Sequence, residues 1–228
     1  MSTPQLPLGL RSPPDQRLDA FLGNDAARAA VGAAARGEAG DWLYLAGPAG
    51  SGKSHLLLAA CAEAVAAGRR AAYLPMAAFA GRLGAGLAQQ EDADLVCLDG
   101  LEAIAGREAD EEALFHFHNR ARAADSAVLY AARGNPAAIG LQLRDLVTRL
   151  GQCVRFNLEP LDEAGRRAVL RQRAARRGLE LDEAVLDYLL RRVDRDLASL
   201  TKLLDQLDRA SLAAQRRITI PFLRQHLG

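Results

Sequence analysis

An α/β body with a mostly parallel sheet, followed by a small all-helical module, is the architecture the sequence predicts, and three observations predict it. Short apolar runs alternate with helical stretches up to about residue 158, which implies crossover connections and a sheet covered on both faces. Those runs are almost continuously apolar, as strands buried on both sides are. After Pro160 the strand signal stops and only helical periodicity remains. With 228 residues, half of them hydrophobic, the chain fits one large domain or one plus a small appendage, and wholesale disorder is excluded.

Residues 1–15 read as an extended tail, with four prolines and no helical period. A first helix starts at Asn24 as N-cap and ends near Gly37. A strand over 42–46 runs into Gly47-Pro48-Ala49-Gly50-Ser51-Gly52, and a helix follows through Leu56, Leu57, Ala60 and Val65, stopped by Gly68. Further strands are expected at 71–74, 95–98, 127–131 and 154–158, with helices around 77–88, 109–124 and 141–150. Asp162 caps a helix to Arg177, with Gly178 behind it, and Asp182 caps another. A longer helix spans about 196–215 on Leu197, Leu200, Leu203, Leu204 and Leu207. Thr219-Ile220-Pro221 opens the last one. The division is therefore tail 1–15, α/β domain 16–159 and helical domain 160–228.

Charge and composition exclude several classes. The net charge of +1 is wrong for a chain built around a phosphate backbone, although it divides into −2 for residues 1–158 and +3 for 159–228. The longest apolar run, 56–62, is far too short for a membrane span, and the N-terminus lacks a cationic start and apolar block, so a soluble, cytoplasmic protein is expected. Cys61, Cys97 and Cys153 lie apart among apolar neighbours and read as reduced core thiols. His116 and His118, two apart, face different sides of a helix, and no metal site of His or Cys is expected. Of 29 basic residues only Lys53 and Lys202 are lysine, so a retained lysine is suspect of a specific duty.

One of those lysines sits in the strongest motif. Gly47 to Ser54 reads G-x-x-x-x-G-K-S between an expected strand and helix. Such a loop aims backbone N–H groups and a helix N-terminus at phosphates, while Lys53 reaches the β- and γ-phosphates and Ser54 meets magnesium. Leu95-Val96-Cys97-Leu98-Asp99 is an apolar strand ending in a carboxylate, which a sheet of this kind delivers to the magnesium shell.

With the loop, the Asp99 strand, a strand between them and a helical lid, the chain resembles an AAA+ ATPase. It is more closely similar to the Hda family, the regulatory inactivators homologous to the initiator DnaA. The resemblance rests on Cys97-Leu98-Asp99, Glu102-Ala103-Ile104-Ala105-Gly106, Asn119-Arg120, Leu204-Asp205-Gln206-Leu207-Asp208-Arg209-Ala210-Ser211 and Ala214-Gln215-Arg216-Arg217 with Thr219-Ile220-Pro221-Phe222. It implies a P-loop AAA+ sandwich with a helical lid, holding ADP or ATP with Mg2+. Gly47 to His55 and Asp99 would line the nucleotide, with Ser54 and Asp99 at the metal. Phe21-Leu22-Gly23-Asn24 is similar to the family's adenine-side segment, giving Gly23 and Asn24, and Arg195 matches the lid's sensor arginine or pairs with Asp194 or Asp196. The sensor position after the fourth strand falls on Arg133 or Asn135. Members that hydrolyse nucleotide usually carry an acid immediately after the strand-end aspartate; here Gly100 stands there, with Glu102 nearby, so little hydrolysis is expected.

The same resemblance assigns partners. Asp145 to Leu150 is similar to the family's Box VII helix, whose arginine reaches a neighbouring subunit's nucleotide: Arg149 here, with Arg144 the lesser candidate. Gln5-Leu6-Pro7-Leu8-Gly9-Leu10 resembles the peptide that docks on the DNA polymerase III sliding clamp, through Gln5, Leu6, Leu8 and Leu10; Gly9 stands where proline is common. The implied function is negative regulation of replication initiation, in which the clamp-held protein makes ATP-bound DnaA hydrolyse its nucleotide. The alternatives are an autonomous AAA+ ATPase such as a helicase loader and a nucleotide-independent clamp adaptor. A homo-oligomer is compatible with the resemblance. Arg166, Arg167, Arg171, Arg173, Arg176 and Arg177 read mainly as a solvated face, and DNA contact is indirect or non-specific.

Overall fold

The computed structural model describes residues 16–38, 40–192, 203–204, 206–210 and 218–227. The chain forms two compact units. One comprises the residues up to Phe21, Ala26–Ala46 and Lys53–Asn157; the other comprises Leu22–Asp25, Gly47–Gly52 and the residues from Leu158 onward.

The first unit is built on a five-stranded sheet, β1 (Leu43–Ala46), β2 (Ala71–Pro75), β3 (Leu95–Asp99), β4 (Ala127–Ala132) and β5 (Val154–Asn157), in the order β2-β3-β4-β1-β5. Every pairing is parallel, as the alternation of strands and helices requires. Helices α1 (Asp25–Arg36) and α2 (Lys53–Ala66) precede β2. Helices α3 (Met76–Phe79), α4 (Leu83–Ala88), α5 (Glu108–Ala123) and α6 (Arg144–Gly151) follow it. Alternate strand residues face opposite ways. Tyr44, Leu74, Val96, Leu98, Val128 and Tyr130 join Leu83, Leu87, Leu114, Phe117, Leu146 and Leu150 in one core, while α2 covers the opposite face along β2, β3 and β4.

Four local expectations give way to tertiary context. The stretch 77–88 is two helices, because the chain turns at Gly81 (φ 85°). The buried Asp110 carboxylate holds that turn, accepting from the N–H groups of Gly81 and Leu83. Val65 is exposed, so the core face of α2 is carried by Leu56, Leu57, Ala60 and Ala64 instead. β5 is an edge strand whose residues are mostly exposed, rather than a doubly covered one, and it ends at Asn157. Asn24, directly before α1, has φ 48° and does not take the extended conformation of an N-cap. Its amide instead donates to Glu159 O and accepts from Glu159 N, both at 3.3 Å.

In the second unit α7 (Glu163–Arg176) and α8 (Glu183–Arg192) start as expected. Asp162 Oδ1 accepts from Gly165 N and Asp182 Oδ1 from Val185 N, both at 2.7 Å. Residues 203–204 and 206–210 are helical, and a C-terminal helix spans Ile220–Leu227. Val185, Leu189, Leu203, Leu207, Ile218, Phe222 and Leu223 form the core. The arginines of α7 form a solvated face only in part. Arg171 and Arg176 are exposed, Arg171 in a surface pair with Glu183, whereas Arg167 is half-buried against Glu183 and Asp187 and Arg173 is buried. Among the described residues no helix is long and apolar enough to cross a membrane.

Candidate functional site

The loop Gly47–Gly52 leaves β1 and delivers the chain to α2 at Lys53. Gly47 is fixed by close approach: a Cβ there would lie 2.4 Å from Leu158 O and 2.8 Å from Ser51 Oγ, closer than any side chain tolerates. Gly52 has φ 95°, a region that other residues rarely enter, and it turns the backbone into the helix. Pro48, Ala49 and Gly50 are exposed, and Ser51 N donates to Pro48 O at 3.3 Å. Ser54 is exposed in the first turn of α2, where unsatisfied helix N–H groups favour anions.

A cluster of polar side chains lies where β2, β3 and α2 meet within the first unit. Lys53 is buried, and burial pulls its ammonium below its usual range. The negative charges of Asp99 and Glu102 oppose that shift, while the positive charge of Arg133 adds to it. Asp99 closes β3, in register with Pro75 on β2 and Ala131 on β4. Tyr73 Oη donates to Asp99 Oδ2 at 2.7 Å. Burial, reinforced by the hydrogen bond to Asp99, pushes the Tyr73 phenol well above its usual range.

Beyond Asp99 the chain enters a left-handed turn at Gly100 (φ 82°, ψ 54°), whose N–H donates to Ala131 O at 2.9 Å. Glu102 is committed to Arg133. Its Oε1 lies 3.2 Å from Arg133 Nε, and its Oε2 accepts from Arg133 N at 3.2 Å. Of the two sensor candidates the structure thus brings Arg133 into the cluster, while Asn135 is exposed before Pro136.

The remaining residues fall in separate places. His55 Nε2 lies 3.0 Å from Arg17 O, with the Phe21 ring edge-on at 5.3 Å. Gly23 (φ 76°) packs near Leu161, and Asn24 is spent on Glu159. Arg144 and Arg149 are exposed on α6, which Leu146 and Leu150 anchor. Gln5, Leu6, Leu8, Leu10 and Arg195 lie outside the described residues.

Among the described residues no group of three His, Cys, Asp or Glu is placed to hold a metal. Asp99 and Ser54 bring one carboxylate and one hydroxyl. That donor set suits Mg2+, which keeps most of its waters and takes the rest of its shell from phosphate oxygens. The residues present therefore fit a magnesium–nucleotide and would not form a free-standing cation cage.

Sequence reasoning missed Tyr73, the Glu102–Arg133 pair and Glu111. Glu111 is fully buried on α5. Its Oε1 accepts from Gly106 N at 2.7 Å, and its Oε2 accepts from Gln142 N and Leu143 N at 2.8 and 2.7 Å. One carboxylate thus ties the loop after β3 to the start of α6. A signal did exist for Tyr73: it is the one polar side chain in Ala71–Pro75, two residues from the position paired with Asp99.

Comparison with known proteins adds to this geometry. The family described as "Hda, lid domain" matches residues 162–227. Domain III of the Thermotoga maritima replication initiation protein DnaA aligns with 92% of this chain and 94% of its own length, at 22% identity and a TM-score of 0.77. AMPPCP-bound DnaA from Aquifex aeolicus aligns with 85% of this chain and 66% of its own length, at 27% identity and a TM-score of 0.69. A replication initiator DnaA bound to AMPPCP and single-stranded DNA gives 26% identity and a TM-score of 0.70, over 86% of this chain and 65% of that one. The chain thus spans about two thirds of the length of these two nucleotide-bound initiators. The Holliday junction branch migration motor RuvB of Thermotoga maritima, 18% identical over 92% of this chain with a TM-score of 0.66, shares the fold.

Proposed function

The chain is an Hda-like, DnaA-related AAA+ protein, and from that premise we propose that it is a replication regulator that lowers initiation by making ATP-bound DnaA hydrolyse its nucleotide. One observation carries this reading: the chain combines a phosphate-binding loop with a site short of groups to activate water. Lys53, Ser54 and Asp99 are the groups a nucleotide needs, yet the residue after Asp99 is a left-handed glycine, and the nearest carboxylate, Glu102, is neutralised by Arg133. Such a site holds a nucleotide and turns it over slowly.

In this reading ADP or ATP lies against Gly47–Ser54 and orders the protein by mass action, since a ligand bound only to the native state stabilises it. Mg2+, when bound, neutralises phosphate charge; Ser54 and Asp99 would hold it. The DnaA-directed chemistry belongs to Arg149, displayed on α6. Phosphoryl transfer responds to charge neutralisation, and an arginine supplied in trans contributes ~10³–10⁵ in rate in well-studied systems. Gln5, Leu6, Leu8 and Leu10 dock the protein on the DNA-loaded sliding clamp, which brings it to DnaA without a DNA interface of its own.

The test is ATP hydrolysis by DnaA with and without this protein and the loaded clamp. Wild type should accelerate hydrolysis. The chain lacking residues 1–10 should fail for want of clamp binding. Both Arg149→Ala and Arg149→Lys should fail while binding clamp and nucleotide, because lysine cannot copy the guanidinium fork. Full stimulation by Arg149→Ala would transfer the role to Arg144. No stimulation by wild type would refute the reading.

A further inference from the structure

Tyr73 bonds Asp99, one of the two residues that this reading assigns to magnesium. In a parallel pair the side chains of one face line up across the strands. Tyr73 is paired with Cys97, so its ring shares a face with Asp99 two residues on. That face is covered by α2, whose first turn carries Ser54. Tyr73 Oη donates to Asp99 Oδ2 at 2.7 Å, and Tyr73, Ser54 and Asp99 all lie within the first unit. A phenol has one proton, and here it goes to Asp99.

We propose that Tyr73 is a positioning residue for the magnesium–nucleotide: its hydroxyl pins the Asp99 carboxylate in place for the metal. The hydrogen bond is complete without the metal, so the carboxylate is set before binding. Partners of this kind, which orient a ligand and touch no metal themselves, typically govern 10–100-fold in metal affinity. The inference rests on the nucleotide-binding reading, and its test separates the two.

The experiment measures binding of mant-ADP by fluorescence anisotropy, first in EDTA and then across a series of magnesium concentrations. Wild type, Tyr73→Phe, Asp99→Asn and the double variant are compared. Tyr73→Phe keeps the ring and removes one oxygen. It should bind mant-ADP in EDTA as wild type does, while the magnesium concentration giving half the full effect rises roughly 10–100-fold. In the Asp99→Asn background the same substitution should change that midpoint by less than about twofold, because coupled groups are not additive. A midpoint unchanged by Tyr73→Phe, or an equal loss in both backgrounds, would overturn the proposal and leave Tyr73 a packing residue. Wild type that binds no mant-ADP under either condition would overturn the nucleotide reading itself.

Discussion

The two units spend their charged residues in different ways. In the α/β unit the decisive carboxylates are buried and bond to backbone: Asp110 holds the Gly81 turn and Glu111 holds Gly106, Gln142 and Leu143. In the helical unit the acids meet arginine side chains at the surface, as in the pair of Arg171 and Glu183, 53% and 66% exposed. Helix docking there falls to Val185, Leu189, Leu207 and Leu223. A buried carboxylate serving several N–H groups fixes where loops lie, whereas an exposed ion pair adds little. The α/β unit thus places its loops through a few buried groups, and the helical unit relies on distributed apolar packing.

The sharpest way to break that contrast is Glu111→Ala. It takes the acceptor from three part-buried N–H groups, so unfolding in urea should show a loss of about 3–5 kcal/mol. A loss under about 1 kcal/mol would mean that water replaces the carboxylate freely and that it fixes nothing.

Next in size is a pH effect confined to the α/β unit. His118 is buried against Trp42 and lies 3.0 Å from the Tyr130 hydroxyl. Burial, with the charges of Arg122 and Arg149, lowers its pKa to about 4. The unfolded chain protonates this residue near its ordinary value of about 6.5. Between those values the unfolded state binds the extra proton, so stability should fall as pH drops from about 6.5 to about 4 and level off below. The expected contribution is about 3 kcal/mol. Comparing wild type with His118→Gln across that window checks it, and parallel curves would contradict it.

Smaller effects are expected in the helical unit. Asp162→Ala removes the cap of α7 and should cost about 1 kcal/mol. Arg171→Ala should cost less than about 0.5 kcal/mol, since its pair is exposed. An Arg171→Ala loss rivalling that of Glu111→Ala in a thermal melt would erase the distinction between the units.

What the sequence makes legible follows the same divide between local and remote. The phosphate-binding loop, the strand ending at Asp99 and the caps Asp162 and Asp182 are contiguous strings whose chemistry is local, and the structure forms each element where they predict it. Tyr73 needs the β2–β3 register, which no single strand reveals. Glu111 reads as one acid in the run Asp110-Glu111-Glu112 on a helix, and only the convergence of two distant loops makes it an anchor. Asn24 has the composition of a cap, but Glu159, 135 residues away, competes for its amide and wins. Val154 reads as a covered strand residue because the pattern of one strand does not say that it lies at the edge of the sheet.

The central claim is that the protein holds a nucleotide without turning it over. The most direct test incubates the purified protein with labelled ATP, removes free nucleotide, and chromatographs what denaturation releases, alongside steady-state phosphate release. About one nucleotide per chain on wild type, almost none on Lys53→Ala, and negligible sustained phosphate release is the predicted result. Sustained turnover by the wild-type protein alone, or full nucleotide retention by Lys53→Ala, would contradict it.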